Sequence, residues 1–383
     1  MSLSVGIVGL PNVGKSTLFN ALLKRQQALV ANYPFATVEP NVGVVPVPDY
    51  RLERLAQIVQ DSDSRGLLPP VVPATVRFVD IAGLVAGAAQ GAGLGNKFLS
   101  HIREVSIICH VVRVFEDPNV IRYQDEREAR LASRSDSESR RGSQDPENDY
   151  AAIQTELMLS DLESAQSHES KTKNKSEKLL TKIIIDELNV GTPVRNMKFT
   201  DEENEQVKQM FFLTNNPEII VLNVNEEDYV SKNVLGIIDK YSRILQISKN
   251  KFVVICAKIE AELAGLTDEE QRQYLGELGF GSPAIDRLIK KTYETLGLIS
   301  FLTTTGGKEV KAWTIKKGSK ALEAAGEIHT DFAEKFIKAE VVTYDDFVKL
   351  GGWKGAREHG KARLEGKEYI VKDGDVIEFK IGS

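Results

Sequence analysis

The sequence predicts an α/β protein with a helical insertion and a small β-rich module at its C-terminal end. Three observations carry this reading. Gly9-Leu10-Pro11-Asn12-Val13-Gly14-Lys15-Ser16-Thr17 matches the pattern G-x-x-x-x-G-K-[ST] at every position. A β-branched run from Thr75 ends in Asp80-Ile81-Ala82-Gly83. Between about Asp125 and Asn204 the composition changes, first to a polar low-complexity stretch and then to apolar residues at helical spacing.

The first observation has a chemical meaning. Ser4 to Val8 is a short apolar run suited to a buried strand, and Thr17-Leu18-Phe19-Asn20-Ala21-Leu22-Leu23 opens a helix. A strand, a glycine loop and a helix start form a nest of backbone N–H groups that suits di- and triphosphate oxygens. Asn12, Val13, Gly14, Lys15, Ser16 and Thr17 are the candidate phosphate contacts. Lys15 would reach the β- and γ-phosphates, and the Ser16 hydroxyl would bind Mg²⁺. Asn12 either helps to hold a monovalent cation such as K⁺ near the phosphates or serves only the loop conformation.

Bulk properties narrow the class. A chain of 383 residues is expected to hold two or three domains. Its 42% hydrophobic and 27% charged content is that of an ordinary globular protein, and a formal charge of -6 argues against a dominant nucleic-acid-binding surface. No apolar run approaches the ~18–20 residues that span a bilayer, and no signal-peptide pattern is present. Cys109 and Cys256 both sit in apolar runs and read as small buried hydrophobes, so a reducing cytoplasm is expected.

Residues 31–41 are polar and broken by Pro34 and Pro40, which makes them a loop. Thr37 is the candidate there for completing the Mg²⁺ shell and sensing the γ-phosphate. Asp80, ending a strand beside the phosphate loop, is placed to hold Mg²⁺ through water, and Gly83 to turn its N–H toward the γ-phosphate. Lys15, Thr37 and Gly83 are therefore the candidate catalytic residues. Gly87, Gly91, Gly93 and Gly95 suggest a second mobile switch. Leu84 stands where Ras-like enzymes carry a water-orienting glutamine, and a leucine side chain has no donor or acceptor for that task.

Further on, Arg134 to Ser143 is polar and low in complexity. Ile153, Leu157, Leu162 and Ala165, and then Leu179, Leu180, Ile183, Ile184 and Leu188, recur at helical spacing around a polar tip from Gln166 to Lys178. This predicts a helical hairpin with arms of ~15–20 residues, either an interaction arm or a solvated structural insert. The nucleotide fold resumes at Glu218-Ile219-Ile220-Val221-Leu222 and ends in Asn223-Val224-Asn225-Glu226. A GTP-binding protein carries N-K-x-D here, its aspartate accepting from N1–H and the 2-amino group of guanine. Val224 and Glu226 replace the lysine and the aspartate, which points to ATP or to weak base selectivity. Lys251 to Ala257 reads as a strand, and Cys256-Ala257-Lys258 falls where a base-contacting loop is expected.

The last stretch, from about Phe301, reads as a separate β-rich module. Lys372-Asp373-Gly374-Asp375 is a hairpin turn signal between Glu368–Val371 and Val376–Phe379. Lys349, Lys354, Arg357, Lys361, Arg363 and Lys367 face only Glu358 and Glu365 as local acids, so they form either an RNA-facing patch or a solvated face.

The segments GLPNVGKST, NYPFATVEPN, DIAGLV, GAGLGNKFLSHIRE, NVNE, IHTDF and YIVKDGDV together resemble the YchF family of bacterial Obg-like ATPases, a branch of the TRAFAC class of P-loop GTPases, over nearly the whole chain. The resemblance implies a Ras-like P-loop NTPase domain, an inserted coiled-coil arm and a C-terminal β-grasp TGS domain. It implies ATP preferred over GTP, Mg²⁺ held by Ser16, Thr37 and Asp80, and Asn223, Val224 and Glu226 at the base. It also implies binding to the ribosome through its large subunit, with rRNA contacts from the TGS domain and the arm. Two features depart from the family. Arg122 stands where bacterial relatives often carry a histidine proposed to act in hydrolysis, and the stretch 134–143 looks like an insertion.

The expected division is 1–125 with 206–300 for the nucleotide domain, 126–205 for the arm and 301–383 for the TGS domain. The expected function is a cytoplasmic ribosome-associated ATPase, slow without a partner. Two rivals remain open: a GTP-using translation factor with relaxed base choice, and a nucleotide-gated RNA or ribosome adaptor with negligible turnover.

Overall fold

The computed structural model describes residues 4–32, 41–62, 66–81, 93–115, 146–231 and 233–382. Their strands, in chain order, are β1 (Ser4–Val8), β2 (Val42–Pro46), β3 (Val71–Val72), β4 (Thr75–Asp80), β5 (Ile107–Arg113), β6 (Glu218–Asn223), β7 (Phe252–Ile255), β8 (Leu298–Thr303), β9 (Val310–Lys316), β10 (Phe336–Thr343), β11 (Arg363–Glu365) and β12 (Asp375–Ile381). They form two six-stranded sheets, and the chain divides into two compact units at Val45/Pro46, Val76/Arg77 and Leu288/Ile289.

The sheet of the first unit runs β2-β4-β1-β5-β6-β7. β4, β1, β5, β6 and β7 pair in parallel, so their carboxyl ends share one edge. β1, β5, β6 and β7 are buried along their whole length, which explains their continuous apolar runs: both faces of a parallel sheet are covered. This is the α/β nucleotide-binding architecture that the sequence predicts.

The helical insertion is also present, with different dimensions. Its arms are Pro146–Lys171 and Lys175–Asn189, joined by three residues rather than by the long polar tip expected from 166–178. Asn174 caps the second arm by accepting from the Ser176 N–H, so the polar residues beyond Gln166 stay helical up to a tight turn. Ala165, Leu180, Ile184 and Leu188 pack with Val194, Val207 and Phe212 in one apolar cluster. The helix Asp201–Gln209 thereby joins the hairpin, across the boundary drawn at 205/206. Leu179 and Ile183 remain 62% and 47% exposed, so the outer side of the second arm is partly apolar.

In the second unit the sheet runs β11-β10-β12-β8-β9-β3. β8 and β9 are antiparallel, β12 is parallel to β8, and β10 is antiparallel to both β12 and β11. Ile299, Phe301, Ile315, Val341, Ile377 and Phe379 share one cluster with the helix Ala321–Ile328. Alternate residues such as Leu302, Val310, Ala312 and Val376 point the other way by the two-residue strand period and are equally buried.

Two expectations for this region are corrected. Residues 46–76 were assigned to the nucleotide domain, yet they belong to the second unit, as do residues 289–300. The helix Arg51–Ser62 buries Leu52, Leu55, Ala56 and Ile58 against β9, and β3 pairs in parallel with β9. An amphipathic helix needs a partner for its apolar stripe, and this one finds it in the distant sheet. The hairpin around Lys372–Asp375 is half right. The turn exists, with Gly374 at φ 83° and the Asp375 N–H donated to the Lys372 carbonyl, and β12 follows it. Residues 368–371 form only one bridge, Ile370 with Lys320, because β12 pairs with β10 and β8 instead.

Part of the basic patch is paired, Arg357 and Lys361 by acids outside the stretch and Arg363 by the local Glu365. Arg357 donates to both Glu340 carboxylate oxygens at 2.7 and 2.8 Å and to Glu378 at 3.2 Å. Lys361 lies 3.7 Å from Asp346, and Arg363 lies 3.7 Å from Glu365. Among the described residues, no helix is long and apolar enough to cross a membrane.

Leu55→Ala tests the placement of residues 46–76. Removing a fully buried leucine is expected to destabilise by roughly 2–5 kcal/mol. Hydrogen exchange should show the lost protection in β8, β9 and β12, with β1 and β5 unchanged.

Candidate nucleotide site

The phosphate loop runs from β1 into the helix Lys15–Asn32. Three of its residues adopt positive φ: Gly9 at 159°, Asn12 at 62° and Gly14 at 99°. Asparagine tolerates the left-handed region better than most residues, which gives Asn12 a conformational role in the loop. Gly14 is required for a second reason. A Cβ there would lie 2.3 Å from Asn223 Nδ2.

That close approach belongs to a clamp. Asn223, the last residue of β6, is buried and donates from Nδ2 to the Val13 carbonyl at 2.9 Å. Its Oδ1 accepts from the Ala257 N–H at 3.0 Å. One side chain thus ties the phosphate loop to the start of the helix that follows β7. Val13 is buried beneath, while Ser16 and Thr17 are exposed at the start of the helix. The helix begins at Lys15, so its free N–H groups and dipole face the same side as those hydroxyls.

Lys15 is buried and donates to the Leu10 carbonyl at 2.6 Å. Burial lowers its pKa to about 8, and the nearby Asp80 carboxylate opposes that shift. Asp80 closes β4 and is itself raised by burial, with the Lys15 charge opposing. The buried ammonium and the partly buried carboxylate thus support each other's charge, while burial pushes both toward neutrality.

Just after β6, Val224 is buried with its N–H donated to the Ile255 carbonyl at 2.9 Å. Glu226 opens the short helix Glu226–Val230 and pairs with Lys258 at 3.0 Å. The strand expected over Lys251–Ala257 spans only Phe252–Ile255, and Ala257 already begins the helix Ala257–Leu263. The structure therefore gathers Asn12, Val13, Gly14, Lys15, Ser16, Thr17, Asp80, Asn223, Val224 and Glu226 around the carboxyl edge of the first sheet, where ligands of open α/β sheets bind. Thr37, Gly83, Leu84, Gly87, Gly91, Arg122 and the stretch 134–143 lie outside the described residues. Gly93 and Gly95, expected in a switch loop, instead lie in the first turn of the helix Gly93–Arg103, which Phe98, Leu99 and Ile102 anchor in the core.

Sequence reasoning missed the polar cluster that joins the insertion to the sheet. Glu218, at the start of β6, accepts from Tyr150 at 3.1 Å and from Gln154 at 3.2 Å, and pairs with Arg195 at 2.9 Å. Arg195 also donates to the carbonyls of Thr214 and Asn216. Nearby, Asp161 accepts from the backbone N–H groups of Leu213 and Thr214. His110 of β5 stacks on Tyr150, and burial, with Arg195 and Lys15 adding, lowers its pKa to about 3. A histidine within an apolar strand was the visible signal. A groove of about 320 Å³, lined by Leu180, Ile183, Met197 and Phe199, lies in the insertion and contains none of the predicted site residues.

Fold and site define a P-loop nucleotide-binding protein, and the comparisons specify the branch. Residues 4–140 match the family model described as 50S ribosome-binding GTPase. Residues 298–382 match YchF-GTPase_C, described as a protein of unknown function (DUF933). The chain is 44% identical over 390 aligned positions to the "Ribosome-binding ATPase YchF" of Bacillus subtilis, covering 99% of both chains. It is 42% identical over 388 positions to the protein of the same name from Escherichia coli O157:H7, again covering 99% of both. The solved Schizosaccharomyces pombe YchF GTPase superposes with a TM-score of 0.82 at 32% identity, covering 99% of this chain and 98% of that one. The chain belongs to the YchF family.

The depressed pKa of Lys15 has a measurable consequence. Nucleotide phosphates bind the ammonium form, so affinity is steady below pH 7 and declines as pH rises through about 8. With protonation linked to binding, the dissociation constant of the Mg²⁺-nucleotide complex should rise about eightfold between pH 7.5 and 9. A profile flat to pH 9.5 contradicts the assignment of Lys15.

Proposed function

We propose that this protein is a Mg²⁺-dependent P-loop ATPase that hydrolyses ATP to ADP and phosphate and works as a ribosome-associated nucleotide switch in the cytoplasm. The observation that carries the reading is the Asn223 clamp. It fixes an intact phosphate loop beside a base position that lacks the guanine-reading lysine and aspartate. The names of the full-length relatives support both the ATP and the ribosome components.

Within this reading each residue has a task. The N–H groups of residues 12–17 and the Lys15 ammonium hold the phosphates and stabilise charge that develops on the γ-phosphoryl oxygens. Ser16, Thr37 and Asp80 would hold Mg²⁺, which neutralises phosphate charge when bound. K⁺ is a second candidate cation near Asn12. Gly83 would present its N–H to the γ-phosphate. Asn223, Val224 and Glu226 border the base. Leucine at position 84 cannot orient the attacking water, so turnover is slow until a partner completes the site.

The second unit has the strand order 2-1-5-3-4 over β9-β8-β12-β10-β11, which supports a β-grasp TGS domain. The helices Pro146–Lys171 and Lys175–Asn189 support a coiled-coil arm. Both are the proposed contacts to the large ribosomal subunit and its rRNA.

Calorimetric titration of nucleotide-free protein with non-hydrolysable ATP and GTP analogues, in Mg²⁺ and K⁺, tests the base assignment. Tighter ATP binding is expected. Tighter GTP binding transfers the case to a GTP-using factor, and ATP hydrolysis that purified ribosomes fail to stimulate transfers it to a nucleotide-gated adaptor.

A further inference from the structure

Glu226 occupies the place of the guanine-reading aspartate, and its carboxylate is already engaged: Lys258 Nζ lies 3.0 Å from Oε1. The backbones carrying the two side chains are held in register by bonds that do not depend on the pair. Asn223, three residues before Glu226, accepts from the N–H of Ala257, the residue before Lys258. Asn225 caps the turn on which Glu226 sits by accepting from the Asp228 N–H at 2.7 Å. The Glu226 and Lys258 side chains are 44% and 68% exposed, so the pair stands at the rim of the site and not in the core.

A carboxylate recognises guanine by accepting from N1–H and from the 2-amino group together. That needs both oxygens and an uncompensated negative charge. An ammonium on one oxygen removes an acceptor and cancels much of the charge. Adenine has neither donor at that edge and loses nothing by the pairing. The alternative reading of Lys258, a solvated lysine with a chance neighbour, predicts no effect on base choice.

We infer that Lys258 is a positioning residue for base selection: by holding Glu226 in an ion pair it withdraws that carboxylate from guanine-type recognition and sets the nucleotide preference against GTP. The inference rests on the adenine reading given under Proposed function. It goes beyond that reading by placing part of the selectivity on a residue outside the Asn223–Glu226 segment.

The test compares the dissociation constants of ATP and GTP analogues for the wild type, Lys258→Met, Lys258→Arg and the double variant Lys258→Met/Glu226→Gln. Lys258→Met should strengthen GTP relative to ATP by about threefold to fivefold, the scale of an exposed ion pair. Lys258→Arg keeps the pair and should keep the wild-type ratio. The double variant, which lacks the freed carboxylate, should lose the gain. Because salt screens exposed charges, the wild-type GTP dissociation constant should also fall relative to that of ATP when NaCl is raised from about 50 to about 500 mM at constant KCl. That measurement stands even where a variant does not fold. An unchanged ratio in folded Lys258→Met, or in the wild type at high salt if that variant fails, overturns the inference. Wild-type protein that prefers GTP overturns the adenine reading itself, so the two failures are distinguishable.

Discussion

Three parts of the nucleotide site meet at one side chain. Asn223 donates to the phosphate loop through Val13 and accepts from the start of the helix that follows β7 through Ala257. Buried amides are expensive to leave unpaired, so each segment is held in place partly because the other is there. Gly14 completes the contact by having no Cβ where Asn223 Nδ2 lies. A phosphate loop built from left-handed residues has little helix or sheet bonding of its own, and this external tether supplies what it lacks.

Around that tether lies a buried parallel sheet with charged groups at both of its ends. β1, β5 and β6 are fully buried, and Glu218 and Asp161 fasten the helical insertion to their edge through hydrogen-bonded carboxylates. Pairs of that kind fix geometry more reliably than they add stability. Burial pushes ionisable groups toward their neutral forms in both places, His110 and Asp161 at the foot of the insertion and Lys15 and Asp80 at the carboxyl edge. At the foot, Asp161 is met by backbone N–H groups; at the edge, Lys15 is met by the Leu10 carbonyl and by the nearby Asp80 charge. The same chain that supplies Asp80 first leaves the unit after β2, contributes the helix Arg51–Ser62 and β3 to the second sheet, and returns as β4.

Much of this was legible in the sequence because it depends on local pattern. The phosphate loop announces itself through glycine, lysine and hydroxyl at fixed spacing, and the apolar runs of β1, β4 and β6 announce a buried parallel sheet. The same kind of spacing placed Asn223, Val224 and Glu226 together just after the strand that ends at the carboxyl edge. What escaped was set by distant partners. The helix Arg51–Ser62 shows an amphipathic stripe, but nothing local says that β9 covers it. The partners of Arg357 were not legible, because Glu340 and Glu378 lie on strands 17 and 21 residues away in sequence. Residues 368–371 had strand composition but lost the competition for β12 to β10 and β8. Lys258 lies 32 positions from Glu226, and the parallel pairing of β6 with β7, together with the clamp, brings them together.

The geometry of the site depends on the tether. Asn223→Ala, followed by site-resolved hydrogen exchange and ATP binding, tests it most directly. If Asn223 holds both segments, exchange should accelerate at the phosphate-loop amides and at Ala257 together, and ATP affinity should fall by about tenfold or more, the scale of a lost buried hydrogen-bonding partner. Acceleration at Ala257 alone, with the phosphate loop still protected and ATP affinity intact, would contradict it.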